Sequence, residues 1–360
     1  MFSESGVISF NILSWYTLNI SIGSPPQSFN AIFDFATVPL LITAEDCGHR
    51  PKDCPRMCKD EFIASVYCEP LCFPISSLVH NGHCFRSFQA TDSSTYRRST
   101  ASWRESLQSC KDPLYGRFVS DKIRIEYSTP STEFTLEFVE GTLLQENAVV
   151  GSDGIFGLGF RDESGSVGVV EQLYAQQVIR QPIISLVSSI TAVLGALDTN
   201  ACDSWSHFPI ASDALGWTFQ VKKLEFFGVQ FENQQITFGN QPSHLRVPEH
   251  VRRELIRRGL VLDGSYYEKV LWYVQQNVKT TLVLFSDYHD YKLELPKVGS
   301  SCVYSNNQTF CDVLTENLQS VRSNGPNSWI LPIYSSYFST LCWGLNYANR
   351  SVVVGRYLSK

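Results

Sequence analysis

The segment Tyr16-Thr17-Leu18-Asn19-Ile20-Ser21-Ile22 alternates apolar and polar residues without a break. Only an extended strand with one covered face uses that period, because successive side chains of a strand point to opposite sides. Tyr16, Leu18, Ile20 and Ile22 are expected to face a core and Asn19 to face solvent. Turn formers follow in Gly23-Ser24-Pro25-Pro26-Gln27, and Phe29 to Phe33 return as a second apolar strand. The chain is therefore predicted to open on a β-hairpin that delivers Asp34 at its end. The 23 Phe and 16 Tyr, set against 2 Met, favour pleated surfaces throughout and weigh against an all-α fold.

At 360 residues the chain exceeds what one hydrophobic core usually serves. Two lobes are predicted, over 1–180 and 181–360, with no low-complexity linker between them. Regular strands resume at Lys122-Ile123-Arg124-Ile125-Glu126-Tyr127. The uncharged run from Gln181 to Leu197 is interrupted by Pro182, Gly195 and several Ser, so it reads as two buried strands and not as a membrane span. Pro248 to Gly259 reads as a short amphipathic helix, with Glu249 and Glu254 spaced to pair with Arg252, Arg253, Arg257 and Arg258. A net charge of -6 with scattered basic residues excludes a nucleic-acid footprint.

Seven of the eleven cysteines fall between Cys47 and Cys110. That density points to disulfides and a secretory destination, extracellular or lysosomal. The stretch at about 47–115 lacks sustained periodicity and reads as an insertion held by disulfides. Cys47, Cys54, Cys58, Cys68, Cys72 and Cys84, with His49, His80 and His83, could be taken for zinc ligands. Their spacing lacks the paired Cys-x-x-Cys of a zinc site, so no metal is expected, and no other cofactor is implied. The partners of Cys110, Cys202 and Cys342 stay open. Sequons occur at Asn19, Asn307 and Asn349 and fit the same route. Met1 to Gly6 shows no leader, which is expected to have been removed or to lie upstream.

Five ordered anchors between about Tyr16 and Gly355 resemble the pepsin-like aspartic proteases. Ile22-Gly23-Ser24-Pro25-Pro26-Gln27 followed by Ile32-Phe33-Asp34 resembles the family's "IGTPPQ" turn and first active-site loop. Phe88 to Tyr96 is similar to "FDPSKSSTY", and Asp153-Gly154-Ile155-Phe156-Gly157-Leu158-Gly159 to "DGILGLG". In the last of these, the glycines let the backbone pack closely beneath the first loop. Leu194 to Asp198 with Gly216-Trp217-Thr218-Phe219 resembles "GGID…YWQ". Trp329-Ile330-Leu331 with Ala348-Asn349-Arg350 resembles "WILGD…ANN". The resemblance implies a mostly β, bilobal fold with a peptide cleft between the lobes and a hairpin flap over it. It also implies a small loop bridged by Cys302 and Cys311.

Family members hydrolyse peptides with two carboxylates, one per lobe, that divide the roles of base and acid. Here the first Asp-Thr-Gly reads Asp34-Phe35-Ala36, so the carboxylate survives while the hydroxyl and the glycine are replaced. Asp34 on its own also reads as a plain turn carboxylate. In the second lobe the matching stretch is Ile236-Thr237-Phe238-Gly239-Asn240-Gln241, with Phe238 at or beside the expected Asp. Asp198 belongs to the "GGID" anchor, and Asp263 lies beyond the helix that should follow the active loop. Tyr127 matches the flap tyrosine, although Ser128 and Pro130 replace glycines. Leu41 stands where a Trp usually contacts that Tyr, and Pro332-Ile333 where the family has Gly-Asp. Gly-x-Ser-x-Gly and His-Glu-x-x-His are absent. The expected function is a non-catalytic monomer that binds a peptide or protein partner through the cleft or the insertion. The rival is an acid endopeptidase with an altered dyad, which requires a second carboxylate facing Asp34.

Overall fold

A computed structural model describes residues 6–13, 17–47, 56–59, 86–105, 114–143, 152–159, 166–187, 191–211, 216–239, 245–266, 269–275, 281–294, 302–305, 308–312, 318–321, 328–332 and 341–358. The chain divides into two compact units, Met1–Pro182 and Ile183–Lys360. Both are built almost entirely of strands, the fold class that the alternating segments demand.

The first unit contains β1 (Ile8–Asn11), β2 (Thr17–Ile22), β3 (Gln27–Asp34), β4 (Leu40–Thr43), β5 (Arg97–Glu105), β6 (Leu114–Ile125), β7 (Glu133–Leu143) and β8 (Gly154–Gly157). Helix α1 (Val169–Ala175) follows. The main sheet has the order β2-β3-β8-β4-β7-β6-β5, and β2 also pairs with β6. The predicted hairpin is present, with Ile22 opposite Gln27 and Thr17 opposite Ile32. Because β2 is bonded on both edges and covered on both faces, Thr17 and Ser21 are buried with the apolar residues, and Asn19 is half-buried instead of exposed. An aromatic core packs against the sheet. Phe33 meets Phe156 edge to face at 5.5 Å, and Phe88 packs between Phe29 and Phe138. Gln172 ties α1 down, its side chain bonding the backbone N–H and C=O of Glu137.

The predicted insertion ends earlier than about Tyr115, since Phe88 is fully buried and Arg97–Glu105 is a regular strand of the main sheet. A bulge between Arg98 and Ser102 breaks its register with β6, which hides the period-two pattern in the sequence.

The second unit begins with β9 (Ile183–Val187) and β10 (Thr191–Leu194), the two buried strands expected of the uncharged run. It continues with β11 (Cys202–Pro209), β12 (Thr218–Phe226), β13 (Val229–Gly239), β14 (Leu245–Pro248), α2 (Glu249–Arg257), β15 (Val261–Tyr266), β16 (Lys269–Gln275), β17 (Thr281–Phe285) and β18 (Asp290–Glu294). The last six strands are β19 (Cys302–Ser305), β20 (Gln308–Asp312), β21 (Leu318–Val321), β22 (Ser328–Pro332), β23 (Leu341–Asn346) and β24 (Ser351–Tyr357). One sheet has the order β18-β17-β12-β13-β22-β14-β21, and a second carries β10-β9-β23-β24-β11. A third, four-stranded sheet runs β15-β16-β20-β19, and its register sets Cys302 opposite Cys311. Helix α2 stops at Gly259, whose φ of 69° is a left-handed conformation suited to glycine. Glu249 bonds Arg252 and Arg253, and Glu254 bonds Arg257 and Arg258, as the spacing predicts.

Cys202 and Cys342, whose partners the sequence left open, form a disulfide across a separation of 140 residues and lie buried beside Val187. Cross-linking so long a loop removes much unfolded-state entropy. Replacing both by Ala is expected to lower stability by about 2–5 kcal/mol, read as a lower guanidinium midpoint under oxidising conditions.

Candidate functional site

Strand β3 ends at Asp34, parallel to β8, with Asp34 opposite Gly157. The chain then turns sharply across the end of β8. Asp34 is 6% exposed, and its Oδ1 accepts the backbone N–H groups of Ala36 at 2.7 Å and Thr37 at 2.9 Å. Its carbonyl accepts the N–H of Leu158 at 2.7 Å, and the carbonyl of Thr37 accepts that of Gly159 at 2.8 Å. The loop lies so close to β8 that a Cβ on Gly157 would stand 2.3 Å from the Pro39 oxygen, and one on Gly159 2.4 Å from the Ala36 oxygen. Those two glycines are therefore obligatory for this crossing. Phe35 and Thr37 are buried, while Ala36 is exposed. The sequence-predicted carboxylate is thus present and held by its own loop's amides.

The second lobe repeats this framework strand for strand. In the first, a hairpin partner (β2), the loop strand (β3), a parallel strand (β8), an antiparallel strand (β4) and a parallel strand (β7) lie side by side. In the second, β12, β13, β22, β14 and β21 do so with the same directions. The register fixes the equivalences. Thr17 opposite Ile32 matches Thr218 opposite Thr237. Leu41 opposite Ile155 matches Arg246 opposite Ile330. Asp34 opposite Gly157 then matches Gly239 opposite Pro332, and the same spacing separates Asp34 from Leu40 and Gly239 from Leu245.

The residue equivalent to Asp34 is therefore Gly239, beside Phe238, and Phe238 is the equivalent of Phe33. Phe238 is a core residue, 5% exposed, with its ring 5.6 Å from Phe219 and 5.3 Å from Trp343. A count along the sequence does not find this register. Tyr16-Thr17-Leu18-Asn19-Ile20 and Trp217-Thr218-Phe219-Gln220-Val221 are internal counterparts, but 18 residues separate Tyr16 from Asp34 and 22 separate Trp217 from Gly239, so counting forward from one lobe misses the loop residue of the other.

Asp198 and Asp263 lie elsewhere. Asp198 closes a turn, its Oδ1 accepting the N–H groups of Asn200 and Ala201. Asp263 sits on β15, opposite Trp272 in the four-stranded sheet. Tyr127 stands in the turn between β6 and β7, 75% exposed and with a φ of 58°. The turn is pinned from both sides. Ser128 donates its hydroxyl to the Ile125 carbonyl at 2.8 Å, and Thr129 exchanges two backbone hydrogen bonds with Ser9. Leu41 is wholly buried against Trp103 and Ile155.

Cys47 is disulfide-bonded. Cys54, Cys68, Cys72 and Cys84, with His49, His80 and His83, lie outside the described residues, as does Ile333. Among the described residues no three His, Cys, Asp or Glu side chains gather as a metal centre. No described helix is long and apolar enough to cross a membrane.

The cysteine-rich stretch leaves the main sheet at a charged junction. Asp46, next to Cys47, receives both terminal nitrogens of Arg117, at 2.8 and 3.1 Å. The Arg117 Nε reaches the buried carboxylate of Glu140 at 2.5 Å, and the Tyr96 hydroxyl donates to the same oxygen at 3.2 Å. Burial pushes the Glu140 carboxyl above its ordinary value, and Arg117 offsets only part of that shift.

A family model for eukaryotic aspartyl protease matches residues 15–243. The chain belongs to that family. Gastricsin of Macaca fuscata fuscata is 25% identical over 343 residues, covering 90% of this chain and 80% of the relative. Human gastricsin is 25% identical over 352 residues, covering 92% and 79%. Pregnancy-associated glycoprotein 1 of Sus scrofa is 25% identical over 223 residues, covering 59% and 49%.

Gly157→Ala should drive the 34–39 loop off β8 and destabilise the protein by roughly 1–3 kcal/mol or more, the usual range for forced overpacking. A denaturant titration measures this. A carboxyl whose folded pKa is raised adds stability that is complete below its unfolded value and vanishes as pH rises through the folded value. Wild type should therefore gain stability relative to Glu140→Gln on acidification through that window, and level off below the ordinary value of 4.5. Paired melts over an acidic pH series test the sign.

Proposed function

We propose that this chain is a non-catalytic member of the eukaryotic aspartyl protease family that holds a peptide or protein partner. The single observation that carries the reading is the glycine at 239. Peptide hydrolysis by this family's chemistry needs one carboxyl group to take a proton from water while another gives one to the amide. A lobe that brings Gly239 to the position of Asp34 has no acid to offer there. Phe35 and Ala36 add to the argument, since they remove the hydroxyl and the close-approach glycine that flank a working Asp. Asp34 in this reading is vestigial as a catalyst and serves its own loop, closing it through the amides of Ala36 and Thr37.

Partner binding falls to the family's substrate cleft, with Tyr127 on the flap, or to the cysteine-rich insertion. The protein acts as a monomer without metal or cofactor. The buried Cys202–Cys342 bridge and the cystine at Cys47 support an oxidising compartment, so the secretory pathway, extracellular or lysosomal, is its place of work.

The test is exposure of the purified protein to a peptide library across acidic to neutral pH, with Asp34→Ala beside it. No cleavage by either protein is expected, together with capture of the same peptides by both. Cleavage that disappears in Asp34→Ala would overturn the reading and establish an acid endopeptidase with an unconventional dyad.

A further inference from the structure

Three sequons lie in the chain, at Asn19, Asn307 and Asn349, and the fold treats the two described ones very differently. An acceptor asparagine needs its amide accessible to a bulky oligosaccharide, which the finished fold must then leave in solvent. Asn19 fails this requirement. It sits within β2, opposite Asn30 on one side, while its own carbonyl accepts the Glu126 N–H on the other, at 2.9 Å. The side chain is half-buried on a sheet with neighbours along both edges.

Asn349 meets the requirement. It lies at the tip of the β23–β24 hairpin, between the register pair Asn346 and Ser351. Ala348, Asn349 and Arg350 are all exposed. The turn is rigid for reasons that spare the Asn349 side chain. The buried Asn346 accepts the Asn349 backbone N–H through its Oδ1 at 3.0 Å. The Arg350 carbonyl accepts the Ile210 N–H at 3.1 Å, and Arg350 takes a left-handed φ of 46°. Backbone bonds thus hold the tip, and the side-chain amide of Asn349 takes no part in the described hydrogen bonds. The third sequon residue, Ser351, is buried in the folded chain. The acceptor reading therefore requires transfer before the hairpin closes over Ser351.

We propose that Asn349 is an N-glycan acceptor of this protein when it passes through the secretory pathway, and that Asn19 is not. The product is an N-glycosidic bond from the Asn349 Nδ2 to the anomeric carbon of N-acetylglucosamine. It forms from a lipid-linked pyrophosphate oligosaccharide, with the lipid pyrophosphate as leaving group and one amide proton released. The inference rests on the secretory reading given above, and the experiment keeps the two apart.

The full chain is directed into the secretory pathway of cultured eukaryotic cells and treated with peptide N-glycosidase in heavy-oxygen water, and its peptides are weighed. Labelled aspartate at 349, an unlabelled Asn19, and loss of one glycan step on a gel in Asn349→Gln are expected. Asn349→Gln leaves every hydrogen bond of the turn in place, so that variant should fold and be secreted like wild type. A bare Asn349 in secreted protein, or a glycan on Asn19, overturns the proposal. The secretory reading is judged separately, on protein from its native cells. Free thiols at Cys202 and Cys342 there would sink that reading while leaving the acceptor result of the directed chain standing.

Discussion

Everything specific about the first lobe depends on one close approach of two backbones. The 36–39 segment lies against Gly157 and Gly159 at distances that leave no room for a Cβ, and this contact bends the chain after β3 so that Asp34 closes its own loop. Dispersion and apolar burial hold the strands together, but they would hold them equally well with a different crossing. The absence of a Cβ at Gly157 and Gly159 is what selects this one. The second lobe keeps the same strand framework and moves the glycine to the other side of the pair: Asp34 faces Gly157, whereas Gly239 faces Pro332. In each lobe one partner at the strand ends is a glycine, and in the second it is the residue equivalent to Asp34.

The framework tolerates this exchange because its stability comes from elsewhere. Phe238 and Phe33 are equivalent, and each is locked in an aromatic cluster, with Phe219 and Trp343 in one lobe and Phe156 and Phe10 in the other. Burying a Phe contributes roughly 2–3 kcal/mol, independent of whether the next residue is aspartate or glycine. Such a core does not depend on the residue that ends its strand. The charged junction at Arg117 is likewise structural: it ties Asp46, next to Cys47, to the main sheet, and burial of Glu140 there favours its protonated form.

Much of the fold was legible in the chain. The β2–β3 hairpin, the two strands at 183–194 and the helix at 249–257 all appear as periodic segments bounded by Gly and Pro. Their hydrogen bonds join neighbours in sequence, so local pattern suffices. The strand β5 was not legible, because its bulge breaks the alternation that betrays a strand. Asn19 was misplaced for a related reason: alternation shows that one face is covered but cannot show that the second is covered too. The pairing of Cys202 with Cys342 had no local signal at all.

For the candidate site, the sequence by itself determined that Asp34 stands at the end of an apolar strand before a damaged Asp-Thr-Gly. It also determined that no Asp-Thr-Gly precedes the helix at 249–257. Only the tertiary structure decided that Gly239, and not Phe238, is the counterpart of Asp34. A single-residue register exchanges the buried and reacting positions of a strand. That register is set by parallel pairing with β22, whose residues lie far along the chain and leave no mark on the local pattern of β13.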